Sequence, residues 1–248
     1  MLERAKAWKS AAAAALAFLA AHTAEATFIA DVQLVEFCDN AGSNCTSLSQ
    51  ESQTAVNVIW GQADIQFNFL TPVQENNSGL LNSQDFSDVL GALPSLTAAR
   101  GYAAEFVVGL IADDGTSARG LAFVGPSIIS GVGATGISAI ETNGHSADEQ
   151  GIALAHMFGH NLGLLHVDQT LGTNLMAPVL LPVPSTEVTL LPDQIAIAQQ
   201  SSLLRVAQTP VPVSAPPTAM LLGFWFLTVG ASRWRMRSRL RENRPRSA

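Results

Sequence analysis

Between residues 28 and 204, apolar residues alternate with polar ones or form short runs in some segments and recur every three or four residues in others. The first pattern predicts strands and the second predicts helices. Strands are predicted where β-branched and aromatic residues cluster or alternate with polar residues. These segments are 28–37, 65–70, 105–112, 120–125 and 136–141. Helices are predicted from apolar positions three and four apart and from capping residues, over 47–63, 83–101, 146–163 and 192–204. Because the two kinds of element interleave without strict alternation, the predicted fold class is α/β, one domain with a mixed sheet.

Three local features refine these elements. Either Ser47 or Ser49 can cap the first helix, since a serine hydroxyl accepts a hydrogen bond from the first turn. Pro94 is predicted to break the helix over 83–101, because proline lacks the N–H that the helix needs. The glycine-rich "SGVGATG" (130–136) has no phosphate-loop lysine and is predicted to be a loop.

The N-terminus has the pattern of an export signal. Three basic residues precede the apolar "AAAAALAFLAA", and small residues follow at Ala24 and Ala26. A positive start, a short apolar stretch and an A-x-A site predict a secretory signal peptide over 1–26, cleaved after Ala26. A short N-terminal membrane helix is the alternative, which the cleavage site disfavours.

The C-terminus carries a second signal. The segment 27–208 is the predicted domain, and "TPVPVSAPP" (209–217) follows it as a proline-rich linker. The apolar 218–232 can just span a bilayer, and the seven arginines behind it are expected to stay on the cytoplasmic side. A buried core helix is the alternative, which the arginines disfavour. We therefore expect 218–248 to be a transmembrane helix and an arginine-rich tail.

This order of linker, apolar helix and arginine-rich end resembles the PEP-CTERM sorting signals of Gram-negative bacteria. The resemblance implies an exported protein of the bacterial envelope or exterior, anchored at least transiently by its C-terminal helix. It also implies exosortase-type processing of the tail as an interaction. The segment "PVPVSAP" lacks the glutamate of the usual Pro-Glu-Pro.

The two cysteines, Cys38 and Cys45, lie seven residues apart. In an exported protein this spacing predicts a disulfide that closes a small loop. A two-cysteine metal site is the alternative, but no histidine lies nearby.

Charge excludes one class of partner. The segment 27–214 contains three arginines and 17 acidic residues, a formal charge of −14. Such a surface repels a phosphate backbone, so we expect no nucleic-acid binding.

Three histidines have the spacing of a metal site. His156 and His160 are four residues apart on the helix over 146–163, so both rings project from one face. Gly163 can adopt the left-handed conformation that ends the helix, which lets His166 return as a third nitrogen ligand. Three protein ligands leave a fourth position open, as in catalytic zinc sites.

The segment "LAHMFGHNLGLLH" with the downstream "TNLMAP" resembles the metzincin clan of zinc metallopeptidases. The resemblance implies a metzincin-like domain with a mixed, mainly parallel twisted sheet and an active-site helix that carries two ligand histidines. It implies Zn²⁺ as the cofactor, with His156, His160 and His166 as its ligands. It also implies that Met176 is the Met-turn methionine beneath the metal. In this family a peptide or protein substrate pairs with an edge strand, for which 120–125 is the candidate.

One position departs from the pattern. Metzincins carry a glutamate after the first histidine, where this chain has Met157, and a thioether cannot transfer the proton. Glu149, Asp168 and Glu141 are candidate substitutes, although the sequence places none of them at the missing position. The tyrosine of some metzincin branches is missing too, because the only tyrosine is Tyr102.

The expected function is therefore an exported, zinc-binding metzincin-like metallopeptidase homologue in which peptide hydrolysis is lost or greatly reduced. One alternative is an active zinc metalloendopeptidase with another base. The other is a non-enzymatic envelope module that binds a ligand in the former cleft.

Overall fold

The computed structural model describes residues 28–83, 85–112, 119–168, 171–178 and 183–207. The predicted signal peptide, the linker, the apolar segment 218–232 and the arginine-rich tail lie outside these residues. Among the residues that are described, no helix has the length and apolar content needed to cross a membrane.

Eight strands and five α-helices lie in the described residues. The strands are β1 (Phe28–Cys38), β2 (Ile65–Phe69), β3 (Val73–Asn76), β4 (Phe106–Ile111), β5 (Gly120–Ala122), β6 (Ser127–Ile129), β7 (Gly133–Glu141) and β8 (Arg205–Val206). The helices are α1 (Gln50–Trp60), α2 (Ser78–Leu81), α3 (Phe86–Arg100), α4 (Ala147–Asn161) and α5 (Pro192–Gln199). Short 3₁₀ turns cover Gly61–Ala63 and Ser185–Glu187.

The sheet is mixed and mainly parallel, as predicted. Its main order is β2-β1-β4-β7-β5, in which the first four strands run parallel and β5 is the antiparallel edge strand. Strand β3 also pairs with β1 in parallel, whereas β6 pairs antiparallel with β7 and β8 antiparallel with β1. The α/β fold class is therefore confirmed by the strand directions.

Both faces of the central strands are buried, which explains their nearly continuous apolar sequence. In β4, Phe106, Val108 and Leu110 belong to one core cluster, while Val107 and Ile111 belong to the other. Helices α1 and α4 pack in the first cluster, and α3 packs in the second. Helix α4, which carries two of the predicted ligand histidines, thus packs on the buried central strands of the sheet.

The prediction of a break at Pro94 is wrong, because α3 continues through this residue. Both halves of the helix bury side chains against the sheet, including Val89 and Leu93 before the proline and Thr97 after it. A Cβ at Gly109 would collide with the Val89 side chain, so the glycine lets the helix approach closely. Burial on both sides of Pro94 outweighs the one hydrogen bond that proline removes.

The prediction of a loop over 130–136 is wrong in its second half. Strand β7 begins at Gly133, and β6 pairs with its first residues to form a hairpin whose turn is 130–132. A Cβ at Gly136 would lie 3.0 Å from the Asn161 side chain. Gly136 therefore allows close packing of β7 against α4, and composition alone does not distinguish such a glycine from a loop glycine.

The last predicted helix is too long, because α5 ends at Gln199 rather than at 204. The chain then turns and adds β8 to β1, where Arg205 forms ion pairs with Asp31 and Glu105 at 2.8 and 2.7 Å. Turn hydrogen bonds, from the Ser201 N–H to the Ala198 carbonyl and from the Leu204 N–H to the Ser201 carbonyl, replace the last part of the predicted helix and lead the chain to β8.

The strand predicted over 120–125 is too long, because β5 ends at Ala122, after which the Phe123 carbonyl and the Gly125 N–H form hydrogen bonds to Asn161 and His160. Two further local predictions are confirmed. Ser49, one of the two proposed caps, accepts a hydrogen bond from the Ser52 N–H at 3.1 Å. Cys38 and Cys45 form the predicted disulfide.

Candidate metal centre

Helix α4 begins with a reciprocal cap at Ser146. The Ser146 hydroxyl accepts from the Glu149 N–H, and the Glu149 carboxylate accepts from the Ser146 N–H at 2.9 Å. This capping box satisfies N–H groups that have no partner inside the helix. It sets the start of a helix that carries His156 and His160 one turn apart.

The helix ends in a tight reversal at Gly163. This residue has a φ of +95°, in the left-handed region that favours glycine. The Leu164 N–H donates to the Gly159 carbonyl at 2.9 Å, and the Gly163 N–H donates to the His160 carbonyl at the same distance. The reversal brings His166 back to the two helical histidines, as the sequence predicted.

The three imidazoles converge through their Nε2 atoms. Each pair among His156, His160 and His166 has an Nε2–Nε2 distance of 3.1 Å. A zinc ion with bonds of about 2.0–2.1 Å and tetrahedral angles requires nitrogens about 3.3–3.4 Å apart. The observed triangle is therefore of the size that a single metal ion needs.

Two of the rings are held in one tautomer by backbone carbonyls. His156 Nδ1 lies 2.6 Å from the Leu175 carbonyl oxygen, and His160 Nδ1 lies 2.9 Å from that of Leu164. Because a carbonyl only accepts, each Nδ1 carries the proton, and each neutral ring presents a bare Nε2 lone pair. Lone pairs at 3.1 Å repel each other unless a cation lies between them. The donor set therefore fits a metal ion.

Burial keeps these rings in the state that binds metal. Desolvation lowers the pKa of His156 to about 4, against the opposing effect of its hydrogen bond to Leu175. Desolvation also lowers the pKa of His160. Both are therefore neutral at pH 7, as a ligand histidine must be. His166 is exposed, so the cluster opens to solvent on its side.

A second layer of polar groups holds the turn whose carbonyl contacts His156. The Asn174 and Gln194 amides exchange two hydrogen bonds at 2.9 and 3.0 Å, and the Met176 N–H donates to Asn174 Oδ1 at 2.9 Å. These bonds fix the turn whose Leu175 carbonyl holds His156. The turn is also joined to the segment after His166 by a bond from the Val167 N–H to the Met176 carbonyl.

Met176 itself is fully buried against the metal-site helix. A Cβ at Gly159 would collide with the Met176 sulfur, so the absence of a side chain at Gly159 creates this contact. Gly159 lies between His156 and His160 in the chain, which places the thioether beneath the helical turn that carries the two ligands.

Replacement of Gly159 by alanine is expected to destabilise the protein by about 1–3 kcal/mol, because the new methyl overpacks the Met176 contact. The measurement is the free energy of unfolding by urea denaturation. Gly91→Ala is the matched control, since Gly91 is helical and a Cβ there meets nothing within 4 Å. That control is expected to stabilise by about 0.5–1 kcal/mol. Equal effects of both substitutions would contradict the proposed contact.

Met157 follows His156, at the position where the metzincin pattern has a glutamate. It is buried in the first core cluster, and a Cβ at Gly120 of β5 would lie 3.2 Å from its Cγ. Its side chain therefore packs between α4 and the edge strand as an apolar group. A thioether neither donates nor accepts the proton that hydrolysis transfers.

The three candidate substitute acids do not join the histidines. Glu149 is used in the helix cap and pairs with Arg119 at 3.0 Å, and the Glu141 carboxylate lies 3.3 Å from His145 Nε2. Asp168 lies exposed two residues after His166. Over the described ranges, no aspartate, glutamate or cysteine belongs to the metal-ligand cluster with the three histidines.

Glu149 gives a testable pH dependence of stability. Hydrogen bonds from Ser146 and the Arg119 ion pair lower its pKa from 4.5 to about 2. A depressed carboxyl pKa stabilises the fold above pH 4.5, and this stabilisation is lost as the pH falls through 2. Glu149→Gln keeps the cap geometry and removes the charge, so it should cost about 0.3–1 kcal/mol at pH 7. Denaturation at several pH values should show this difference shrink below pH 4.5; a constant difference would contradict it.

The groups that form hydrogen bonds to the histidine rings, to their turn and to the end of α4 were not predicted from the sequence. The carbonyls of Leu164 and Leu175 could not be found, because every residue offers a carbonyl. Asn174 stands in the quoted "TNLMAP", where an amide beside a buried turn was an available signal. Asn161 follows His160 directly, but no spacing rule distinguishes it from a surface asparagine.

Comparisons with known proteins give distant likenesses among solved structures. No protein-family model matches the chain, and no curated protein matches it. Among solved structures, metalloproteinase-II from Bacteroides fragilis is similar with a TM-score of 0.49 and 20% identity, over 71% of this chain and 54% of that one. A chain from a chaperone–substrate complex is similar with a TM-score of 0.47 and 15% identity, over 69% of this chain and 33% of that one. Both TM-scores lie below 0.5, so neither likeness assigns a function.

Proposed function

We propose that this protein is a metzincin-like zinc-binding protein in which peptide hydrolysis is lost or greatly reduced. The observation that carries the proposal is the convergence of three Nε2 atoms beside Met157, at the position where a general base is needed. The centre would bind metal without the group that completes the hydrolytic reaction.

Zinc is the proposed ion, and His156, His160 and His166 are its proposed ligands. Three imidazoles are a ligand set that suits Zn²⁺, and one open position on the exposed side is typical of non-structural sites. When bound, zinc supplies a Lewis acid that polarises a carbonyl and lowers the pKa of water. The buried position of Met176 below the ligands supports its assignment as the Met-turn methionine.

The loss of hydrolysis follows from proton transfer. A positioned acid–base side chain typically contributes about 10²–10⁴-fold to the rate of such a reaction. Met157 cannot provide this contribution, and the carboxylates of Glu149 and Glu141 are engaged with other groups. The proposed present role is therefore binding of a peptide or protein at the metal centre rather than its cleavage.

The edge strand supports a peptide as the ligand. Strand β5 lies at the end of the main sheet order, and its far side has no partner strand in the described part of the chain. Leu121, Phe123 and Val124 expose apolar side chains there. A peptide in extended conformation can add to such an edge by backbone hydrogen bonds while its side chains contact the apolar groups.

Export and anchoring complete the proposal. The basic, apolar and small-residue order of 1–26 supports secretion, and 218–248 supports at least transient attachment to a membrane. Processing of the tail by an exosortase-type enzyme is proposed from the sequence alone.

Metal binding is tested first, by equilibrium dialysis of the full-length chain against zinc. One tightly held zinc ion per chain is expected, with a rise in the unfolding temperature that grows with zinc concentration. A chain that holds no zinc at micromolar concentrations would overturn the proposal.

A further inference from the structure

Asn161 connects the metal-site helix to the edge of the sheet. Its side chain is fully buried, and each of its polar atoms has a partner. The Asn161 Nδ2 group donates to the Phe123 carbonyl at 2.8 Å and to the Ile137 carbonyl at 3.1 Å, while Oδ1 accepts from the Ser138 hydroxyl at 2.7 Å. The amide thus bridges α4, β7 and the segment that follows β5.

A backbone hydrogen bond completes this bridge beside a metal ligand. The Gly125 N–H donates to the His160 carbonyl at 2.8 Å, and the Phe123 N–H donates to the Ile137 carbonyl at 3.2 Å. Residues 123–125 therefore run along the last turn of α4, directly next to the backbone of His160. Phe123 and Val124 in this segment expose apolar side chains to solvent.

A glycine on β7 leaves space for the Asn161 side chain. A Cβ at Gly136 would lie 3.0 Å from both Cβ and Cγ of Asn161, closer than neighbouring atoms tolerate. The absence of a side chain at Gly136 leaves the space that the Asn161 amide occupies between α4 and β7. A buried amide with both protons donated and its oxygen satisfied holds one orientation, because any rotation leaves a buried polar group unpaired.

We propose that Asn161 is a positioning residue that sets the edge segment 123–125 beside the metal centre, so that an extended peptide binds to a preformed edge. Asn161 contacts neither metal nor peptide in this role; it acts through Phe123. This inference rests on the proposed peptide binding at the metal site. It goes beyond that proposal because it names the residue on which the position of the edge segment 123–125 depends.

Asn161→Ala removes the hydrogen bond to the Phe123 carbonyl of the edge segment and the one to the Ile137 carbonyl of β7, and it tests the inference by hydrogen exchange. In the full-length zinc-loaded chain, exchange of the amides of 123–125 is expected to become at least about tenfold faster, as the loss of one or two hydrogen bonds implies. Amides of the central strand β4 should stay protected, because the core is unchanged. Unchanged exchange at 123–125 would overturn the inference.

Two hydroxamates separate positioning from a general structural effect. Acetohydroxamate is small enough to contact only the metal, whereas a tripeptide hydroxamate with apolar side chains would also contact the edge segment 123–125. Asn161→Ala should lower the affinity for the tripeptide hydroxamate by about tenfold or more and leave the affinity for acetohydroxamate within about twofold of the native value. Equal weakening of both compounds would contradict a positioning role.

Ser138→Ala is the matched milder variant, since it removes the hydrogen bond to Asn161 Oδ1 and leaves both donors in place. It should accelerate exchange at 123–125 less than Asn161→Ala does, and it keeps the test decisive if Asn161→Ala does not fold. No acceleration in Ser138→Ala, with Asn161→Ala unfolded, would count against the inference. If the native chain binds neither hydroxamate, the proposed metal function fails, while the exchange experiment still decides the role of Asn161.

Discussion

Replacement of Met157 by glutamate is expected to raise peptide hydrolysis by the zinc-loaded protein at least about 100-fold above the native chain. The substitution supplies an acid–base group at the position where the proposed metal centre lacks one. The new carboxylate would take the place of a thioether of similar length between α4 and strand β5. Turnover is measured on a mixed peptide library, with and without a chelator.

Met157→Gln is the control for this prediction. Glutamine has the shape and polarity of glutamate but cannot transfer a proton at neutral pH. It should stay as inactive as the native chain, and the activity of the glutamate variant should disappear with the chelator. Equal activity of native, glutamine and glutamate forms would mean that residue 157 does not limit the reaction.

Replacement of His156 by alanine is expected to lower zinc affinity at least about 100-fold. His156 is the most buried member of the cluster, and it is held by the Leu175 carbonyl. Even changes to groups that only orient a metal ligand typically cost about 10–100-fold in affinity, so removal of a ligand should cost more. The measurement is competition for zinc with a chromophoric chelator at pH 7.

His145→Ala provides a matched histidine substitution outside the cluster. His145 pairs with Glu141 at 3.3 Å and does not belong to the three-histidine group. Its replacement should leave the zinc affinity within about threefold of the native value. Similar losses in both variants would indicate that zinc binds elsewhere on the chain.

The histidine geometry could be predicted from the sequence because it depends on local rules. The helix period places His156 and His160 on one face, and Gly163 ends the helix where its left-handed conformation is needed. Ser146 begins the helix through a capping box that can be found in the sequence. Each of these features involves residues fewer than ten positions apart.

Features that depend on distant contacts were predicted wrongly or not at all. The helix continues through Pro94 because the sheet buries residues on both sides of it, and local sequence does not record this burial. The segment from Gly133 to Gly136 is a strand because its first three residues pair with β6 and Gly136 packs against α4, although its composition is typical of loops. Asn161 could not be distinguished because its three partners lie 23 to 38 residues away.

The measurement that tests the account most directly combines metal content and peptide turnover on one preparation of the native full-length chain. The account predicts one zinc ion per chain and either no peptide turnover or a turnover at least about 100-fold below an ordinary enzyme rate. Chelator-sensitive cleavage at an ordinary enzyme rate, about 1–10³ per second, would contradict it, because another residue would then carry the proton. Absence of bound zinc would contradict the metal centre itself.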